Sequence, residues 1–235
     1  MAGRGFLLTG TDTNCGKTTV TVALTRLLRE QGRGVWPLKP IASGAEWKAG
    51  NLESEDTRLL AEVSGRQPSE VTFATLQAAA APAVAARMEG KLLCLDELVD
   101  WIGSCFRENT MTLVEGVGGL LCPLTATETV ADLALRLRIP LLIVTRRALG
   151  TLNHTLLTLE AAKSRGLAVA GVIVSETVPV EGVAQETCLE ELQKRMSVPL
   201  LARLPYDSHQ RKSRLADCEN VDWWQLAGEY QSCKQ

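Results

Sequence analysis

Short and almost uninterrupted runs of apolar residues recur along the chain, and longer segments with polar positions separate them. An apolar run of about four to eight residues between turn residues is typical of a strand covered on both faces of a sheet. Alternation of such strands with helical segments favours an α/β fold, a mostly parallel β-sheet flanked by helices. The predicted strands cover residues 5–8, 35–38, 111–115, 141–145, 169–175 and 199–204.

Helical periodicity marks the segments between these runs. Leu24 and Leu28 share one face of a helix that follows the first strand, and Gly32 stands where this helix is expected to end. In the alanine-rich stretch 78–86, Pro82 indicates a turn that leads into a short helix. Further helices are predicted over residues 152–165 and 183–196 and from Asp96 to about Arg107.

Composition is that of a globular protein. The chain has 235 residues, of which 46% are hydrophobic and 22% charged. It contains no internal repeat or long linker, which predicts a single domain over residues 1–235. The C-terminal extension, about residues 207–235, carries Trp223 and Trp224, which are expected to pack back onto the domain. The formal net charge of −2 provides no overall positive field for nucleic acid or anionic lipid.

The cysteines and the apolar runs indicate the compartment. Seven cysteines are scattered without a CxxC pair, and an odd number without a signal peptide is typical of reduced thiols. His154 and His209 lie far apart in sequence and form no zinc motif. No run approaches the ~20 apolar residues of a membrane span. The sequence therefore predicts a cytoplasmic protein with a small-molecule partner and with neither nucleic acid nor membrane as a partner.

The segment TGTDTNCGKTT, residues 9–19, follows the first predicted strand and opens the first predicted helix. Five residues separate Gly10 from Gly16-Lys17-Thr18, one more than in the standard phosphate-binding P-loop. The strand, the small polar residues and the helix start still form the setting in which backbone N–H groups and a helix dipole bind phosphate. Lys17 is expected to bind the β- and γ-phosphates, and the Thr18 hydroxyl can ligate Mg²⁺.

Polar residues also follow other predicted strands, at the sheet edge where α/β proteins bind ligands. Lys39 follows the second strand, in PLKPIASG. Glu115 ends the third strand and could hold Mg²⁺ like a Walker B acid. The glycines of GVGG follow it, and they permit close approach of the backbone to an anion. Asp56 offers a second carboxylate, although acidic residues here could simply open a helix. A later helix opens at Gly150–Asn153, whose free amides suit a carboxylate ligand, and His154 is interpreted as a packed helix residue.

Taken together, GTDTxxGKT, KPxxSG, VEGxGG and LGxxNHxxLT resemble the dethiobiotin synthetase family in wording, order and approximate spacing. The resemblance runs from Gly5 to about Pro205, and the longer loop is typical of this family. It implies a P-loop ligase that is a homodimer with substrate sites at the subunit interface. The implied substrates are 7,8-diaminononanoate, CO₂ or bicarbonate, and Mg-ATP. The implied reaction passes through an N-carbamate and a carbamic-phosphoric anhydride to dethiobiotin, ADP and phosphate.

The resemblance also implies roles for individual residues. Lys17 and Lys39 would be catalytic, with Lys39 neutralising the carbamate and the migrating phosphoryl group. Thr18, Asp56 and Glu115 would hold Mg²⁺. The implied ATP-binding residues are Asn14, Cys15, Gly16, Lys17, Thr18, Thr19, Asp56, Glu115, Gly116, Val117, Gly118, Ser175, Glu176, Leu204, Pro205 and Tyr206. The implied substrate-binding residues are Thr13, Ser43, Gly150, Thr151, Leu152 and Asn153.

The sequence departs from the family pattern at three places. Asn14 stands where a glutamate is frequent, so one acidic contact is missing. The segment 77–84 lacks the usual Pro-x-x-Pro-His wording and keeps only Pro82, which leaves its substrate contacts open. Ser175 stands where an asparagine usually reads the adenine. Because one hydroxyl cannot replace the two-point hydrogen bonding of a carboxamide, we expect weaker selectivity for ATP over other nucleoside triphosphates.

The sequence disfavours three other classes of protein. A regulatory P-loop ATPase switch of the partition or Min type would typically carry a second lysine in its loop, whereas Lys17 is the only lysine there. An amidotransferase-type synthetase for cobyrinic acid usually carries a glutaminase domain, for which 235 residues leave no room. A catalytically inactive scaffold would not be expected to keep Lys17, Thr18, Lys39 and Glu115.

Overall fold

The computed structural model describes residues 3–207 and 214–232, so His209 lies outside the described residues. Strands and helices alternate along most of the chain. The strands are β1 (Arg4–Gly10), β2 (Gly34–Leu38), β3 (Ile41–Ala42), β4 (Glu46–Lys48), β5 (Asn51–Glu53), β6 (Ala74–Thr75), β7 (Thr110–Gly119), β8 (Leu141–Arg146), β9 (Val169–Ser175) and β10 (Leu200–Leu204). The helices are α1 (Lys17–Glu30), α2 (Glu55–Ser64), α3 (Pro68–Val71), α4 (Pro82–Met88), α5 (Leu95–Cys105), α6 (Val130–Leu137), α7 (Thr151–Ser164), α8 (Val183–Arg195) and α9 (Trp223–Ser232).

The main sheet has six strands in the order β10-β9-β8-β1-β7-β2, and every neighbouring pair is parallel. The predicted α/β class and all six predicted strands are therefore confirmed. One boundary was wrong, because β7 continues past Glu115 to Gly119, which pairs with Gly10 of β1. Glu115 consequently lies inside a strand next to the central strand of the sheet, and not at a strand end.

The predicted helices are confirmed as α1, α5, α7 and α8, and the turn at Pro82 leads into α4 as expected. Helix α6, which begins after a capping box between Thr129 and Asp132, was not predicted. Two small two-stranded sheets, β3 with β6 and β4 with β5, were not predicted either. No helix in the described part of the chain is long and apolar enough to cross a membrane.

Successive side chains of β1 point to opposite faces of the sheet. Leu7 belongs to a core cluster that α5 and α6 cover, whereas Phe6 and Leu8 belong to a cluster that α1 and α9 cover. Trp223 of α9 is only 1% exposed, and its ring meets that of Phe6 edge-on at 6.4 Å between centroids. Trp224 lies under the guanidinium groups of two arginines, one of which, Arg4, also donates to the Trp224 carbonyl at 2.8 Å. These contacts hold α9 against β1, a central strand of the sheet.

Replacing Trp223 tests how much this contact contributes. We expect Trp223→Ala to lower the free energy of unfolding by ~3–5 kcal/mol, because it removes a fully buried aromatic side chain and leaves a cavity. Urea denaturation of both proteins measures the difference. Trp47→Ala is the matched control, since Trp47 is 62% exposed and its loss should cost less than ~0.5 kcal/mol. Equal losses in the two variants would show that α9 does not stabilise the sheet.

Candidate active site

The loop between β1 and α1 presents an anion-binding helix start. Gly16 precedes α1 in the left-handed conformation at φ 95°, and no side chain caps the amides that follow it. A side chain at this position would collide with the hydroxyl of Ser175, so only glycine fits. Asn14 also has a positive φ of 57°. The exposed first amides of α1, with the positive end of its dipole, provide the setting for a phosphate group.

Lys17 is the first residue of α1, and its ammonium group folds back over the loop. The side chain is largely buried, and Nζ donates to the carbonyl of Asp12 at 3.1 Å. Cys15 is fully buried, and its Sγ lies 3.9 Å from Nζ. The loop therefore holds a positive charge beside the free amides of α1, as phosphate binding requires.

Four residues from four separate segments meet next to this loop, and we call them the acid–lysine cluster: Thr18, Lys39, Asp56 and Glu115. Lys39 Nζ lies 2.6 Å from Glu115 Oε1 and 2.8 Å from Asp56 Oδ2. The Thr18 hydroxyl lies 2.7 Å from Glu115 Oε1 and 2.9 Å from Asp56 Oδ1. Since this hydroxyl has one hydrogen, it donates to one of the two carboxylates at a time.

Local structure fixes each member of the cluster. Thr18 lies in the first turn of α1, and Asp56 in the first turn of α2, where Ser54 caps the helix by accepting from the Thr57 amide. Lys39 follows β2, and its backbone amide donates to the Val71 carbonyl at 2.8 Å. From the sequence alone, Asp56 could not be distinguished from an acidic residue that only opens a helix. In the structure its side chain lies beside that of Lys39.

Charge compensation dominates the electrostatics of the cluster. Burial alone would lower the pKa of Lys39, but the neighbouring charges of Glu115 and Asp56 raise it well above the ordinary value. Burial alone would likewise raise the pKa of Asp56, and Lys39 together with the Thr18 hydrogen bond lowers it below its usual value. Lys39 is thus an ammonium ion and Asp56 a carboxylate at neutral pH.

The cluster has donors that fit Mg²⁺. Glu115 is 1% exposed, and its Oε2 has no hydrogen-bond partner among the described residues. Within that part of the chain, no group of three or more His, Cys, Asp or Glu residues gathers around a possible metal position. Mg²⁺ is usually held by only one or two carboxylates, with waters and substrate phosphates completing its octahedron. Two carboxylates and a hydroxyl beside a phosphate loop match that donor set.

The glycines beyond Glu115 have a packing role that the sequence analysis did not foresee. A Cβ on Gly116 would lie 3.2 Å from the carbonyl of Leu8, and one on Gly119 would lie 3.3 Å from that of Gly10. These glycines, with Val117 between them, let β7 run close beside β1. Gly118 has a φ of 60°, which glycine adopts most readily. The close approach observed here is between two strands.

The predicted substrate side is organised around the start of α7. Gly150 precedes this helix with a φ of 88° and without a side-chain cap. The Thr151 amide donates to the Ala148 carbonyl at 3.1 Å, so the first-turn amides that suit a ligand are those of Leu152 and Asn153. Leu152 and Asn153 follow in the first turn, and His154 is half-buried within the helix. Thr13 is exposed at the phosphate loop, and Ser43 is half-buried after β3.

A network of four threonines connects the phosphate loop with α7, and the sequence analysis missed it except for Thr151. The buried hydroxyl of Thr145, in β8, lies 3.1 Å from that of Thr11, 2.7 Å from that of Thr151 and 2.9 Å from that of Thr155. Thr11 belongs to the phosphate loop, and its amide also donates to the Val144 carbonyl. The two candidate anion sites are therefore joined through one buried hydroxyl.

The segment predicted to flank the nucleotide base, residues 204–206, is held in place by a second network of ion pairs and hydrogen bonds. The carboxylate of Glu176 accepts from Arg147 Nη1 at 2.6 Å, Arg203 Nη1 at 3.1 Å and the amide of Tyr206 at 3.2 Å. Burial raises the pKa of Glu176, but these hydrogen bonds outweigh burial and lower it below its usual value. Ser175 is buried against Gly16. The predicted residues Ser175, Glu176, Leu204, Pro205 and Tyr206 are thus brought together, with two arginines that sequence reasoning missed.

A groove of about 440 Å³ between α1 and α2 contains none of the predicted site residues. It is lined by Val22, Arg26, Arg29, Glu30, Leu59, Glu62 and Val63.

A parallel sheet with a phosphate loop after its first strand, a Lys-Thr pair at the start of the next helix and an acidic partner for that threonine defines a P-loop nucleoside-triphosphate-binding protein. An AAA-domain family model matches residues 4–213 of the chain. The ATP-dependent dethiobiotin synthetase of Anaeromyxobacter dehalogenans is 42% identical over 206 residues, which cover 87% of this chain and 91% of that protein. The ATP-dependent dethiobiotin synthetase of Bacillus cereus is 38% identical over 204 residues, which cover 86% of this chain and 83% of that protein. The chain belongs to the family of ATP-dependent dethiobiotin synthetases.

Similar solved structures bear on the fold alone. The signal recognition particle receptor FtsY from Elizabethkingia anophelis, in complex with GDP, has a TM-score of 0.53 and 12% identity. That comparison covers 98% of this chain and 64% of the receptor. The FtsY of the Physcomitrella patens chloroplast has a TM-score of 0.50 and 17% identity, with 98% and 65% covered. The chain thus spans somewhat less than two thirds of the length of these receptors, and their likeness supports the P-loop fold.

The depressed pKa of Glu176 leads to a prediction for stability against pH. A carboxyl group whose pKa is lowered by folding stabilises the protein above its unfolded pKa, and this contribution is lost as pH falls through the folded pKa. We therefore expect Glu176→Gln to be less stable than the parent protein at pH 7 by about 1–3 kcal/mol, the range for charged hydrogen bonds. The deficit should shrink as pH falls from the unfolded pKa of about 4.3 through the lower folded pKa, below which Glu176 is protonated in both states. Urea denaturation at pH 7, 5, 4 and 3 measures it, and a deficit independent of pH would contradict the assignment.

Proposed function

We propose that this chain forms dethiobiotin from 7,8-diaminononanoate, CO₂ and ATP, with release of ADP and phosphate. The observation that carries the proposal is the acid–lysine cluster beside a phosphate loop, in a chain that belongs to the dethiobiotin synthetase family. The reaction brings a carbamate anion against the γ-phosphate of ATP, so negative charge gathers where the phosphoryl group is transferred. A site that combines lysine charges with a helix N-terminus suits it, because the main requirement is to position and neutralise negative charge.

In the proposed binding mode, residues Asn14 to Thr19 wrap the ATP phosphates. The amides at the start of α1 donate to phosphate oxygens, and Lys17 turns from the Asp12 carbonyl toward the β- and γ-phosphates. Thr18, Asp56 and Glu115 would hold Mg²⁺, which when bound neutralises charge on the transferring phosphoryl group. Support for the metal comes from the buried and unpartnered Oε2 of Glu115, which a cation would satisfy.

The proposed chemistry proceeds in three steps. One amine of the diamine adds to CO₂ and loses a proton, which gives a carbamate. A carbamate oxygen attacks the γ-phosphorus and displaces ADP, which gives a carbamic-phosphoric anhydride. The second amine attacks the carbonyl carbon, expels phosphate and closes the ureido ring. Lys39 is assigned to the carbamate and the phosphoryl group, because its ammonium already lies among the groups that would hold the metal.

The substrate carboxylate is proposed to bind at the start of α7, residues Gly150 to Asn153, with Thr13 and Ser43 nearer the amines. We further propose a homodimer in which a partner chain supplies this helix start. Two large apolar side chains on this part of the surface support an interface, because Leu149 is 84% and Leu157 60% exposed. We also propose that the chain forms a single domain, which the packing of α9 on β1 supports. We propose a cytoplasmic location as well, which the free thiols of the described cysteines support.

ADP release tests the proposal. We expect the protein with Mg-ATP to release ADP rapidly only when both diaminononanoate and bicarbonate are present. Lys39→Ala should lower this rate about 10²–10³-fold at saturating Mg²⁺, because it removes one charge that stabilises the transition state. Arg58→Ala is the control, since its ion pairs are exposed on α2 and its rate should be unchanged. ADP release that responds only to DNA or lipid would instead favour a regulatory ATPase of the partition or Min type.

Nucleotide choice is a separate prediction. Ser175 has one hydroxyl, and it lies against Gly16, so we expect it to discriminate poorly between bases. Turnover with ATP, CTP and GTP should therefore differ by less than about tenfold in kcat/KM, whereas a bidentate amide would be expected to separate them further. Ser175→Asn should increase the preference for ATP. Strict ATP preference in the parent protein, unchanged in the variant, would remove Ser175 from base recognition.

A further inference from the structure

The ammonium group of Lys39 pairs with both carboxylates that are proposed to hold the metal. Glu115 Oε1 accepts from both Lys39 Nζ at 2.6 Å and the Thr18 hydroxyl at 2.7 Å, and Asp56 bonds the same two residues through its two oxygens. A Mg²⁺ ion needs its ligand oxygens at about 2.1 Å. The ion would therefore bind oxygens of the same two carboxylates that Lys39 now engages, of which Glu115 Oε2 has no hydrogen-bond partner among the described residues.

Two cations cannot share these oxygens without a large cost. The site is buried, since Glu115 is 1% and Lys39 4% exposed, and repulsion between like charges is screened far less there than in water. One positive group must leave when the other arrives.

Lys39 has the freer side chain of the two groups that pair with Glu115. Its backbone is fixed by the hydrogen bond to Val71, but its ammonium is carried on a flexible four-carbon stem. Thr18 is held in the first turn of α1 by a short side chain, and Glu115 is fixed within β7. A displaced Lys39 can thus change its partner while the three candidate ligands stay in place.

We propose that Lys39 is the built-in counter-cation of the metal site, and that it competes with the divalent metal for Glu115 and Asp56. Without nucleotide the lysine pairs with both carboxylates, offsets one of their two negative charges and keeps metal binding weak. With nucleotide and metal bound, Glu115 and Asp56 would serve as metal ligands, and Lys39 would be released toward the negative charge of the phosphates and the carbamate. This inference rests on the proposed metal site, but not on the identity of the organic substrate.

Titration with Mn²⁺ alone, in the absence of nucleotide and substrate, tests the competition. The free Mn²⁺ signal in electron paramagnetic resonance gives the dissociation constant for each protein. We expect Lys39→Met to bind Mn²⁺ at least about tenfold more tightly than the parent protein, because a competing charge has been removed from the ligands. Lys39→Arg retains the charge and should show no such gain.

Lys17→Met is the matched control, since it removes another buried lysine whose Nζ bonds a backbone carbonyl and neither carboxylate. Its gain in Mn²⁺ affinity should be much smaller than that of Lys39→Met. The melting temperature gives a second readout, because Mn²⁺ should raise it more in Lys39→Met than in the parent protein. Unchanged affinity in Lys39→Met, or an equal gain in Lys17→Met, would overturn the proposal. Either result is independent of whether the chain forms dethiobiotin, since no organic substrate is present.

Discussion

A carboxylate buried inside the central sheet is the constraint on which the rest of the site depends. Glu115 lies in β7, in register with Leu8 of β1, the strand that leads into the phosphate loop, and it has almost no exposure to solvent. A buried charge of this kind costs several kcal/mol unless it is paired, and even a good ion pair seldom returns more than it costs. Two well-packed apolar residues would serve stability at least as well. The pair of Glu115 and Lys39 is therefore better explained by chemistry than by folding.

Parallel topology is what allows distant segments to supply this site. Strands β1, β7 and β2 are neighbours in the sheet in that order, although β2 precedes β7 in the chain. The segments that follow these strands emerge at the same edge of the sheet. Thr18, Lys39 and Glu115 are brought together there although up to 97 residues separate them. The same edge receives the hydroxyls of Thr11, Thr145 and Thr151, which join the phosphate loop to α7 without any charged group.

Much of the fold could be predicted because its strands are buried on both faces and read as apolar runs, as in residues 141–145 and 169–175. The end of β7 could not, because Gly116 and Gly119 look like loop glycines although they serve the close approach to β1. The phosphate loop was visible as a local motif. Asp56 was ambiguous, since an acid that opens a helix and an acid that faces a lysine have the same sequence signature.

Tertiary partners were the part that the sequence could not reveal. Arg147 and Arg203 converge on Glu176 from 29 and 27 residues away, and no local pattern encodes that meeting. Thr145 lies in an apolar strand, where a threonine is an ordinary strand former, so nothing marked its hydroxyl as a junction. The missed helix α6 did carry a signal, the capping residues Thr129 and Asp132.

The packing of α9 on β1 also bears on the order of events during synthesis. Phe6 lies near the start of the chain, yet Trp223 and Ala227 cover its face of the sheet. A ribosome must therefore extrude more than two hundred further residues before α9 can complete the cover that α1 begins over this apolar face, which stays partly open in the nascent chain until then.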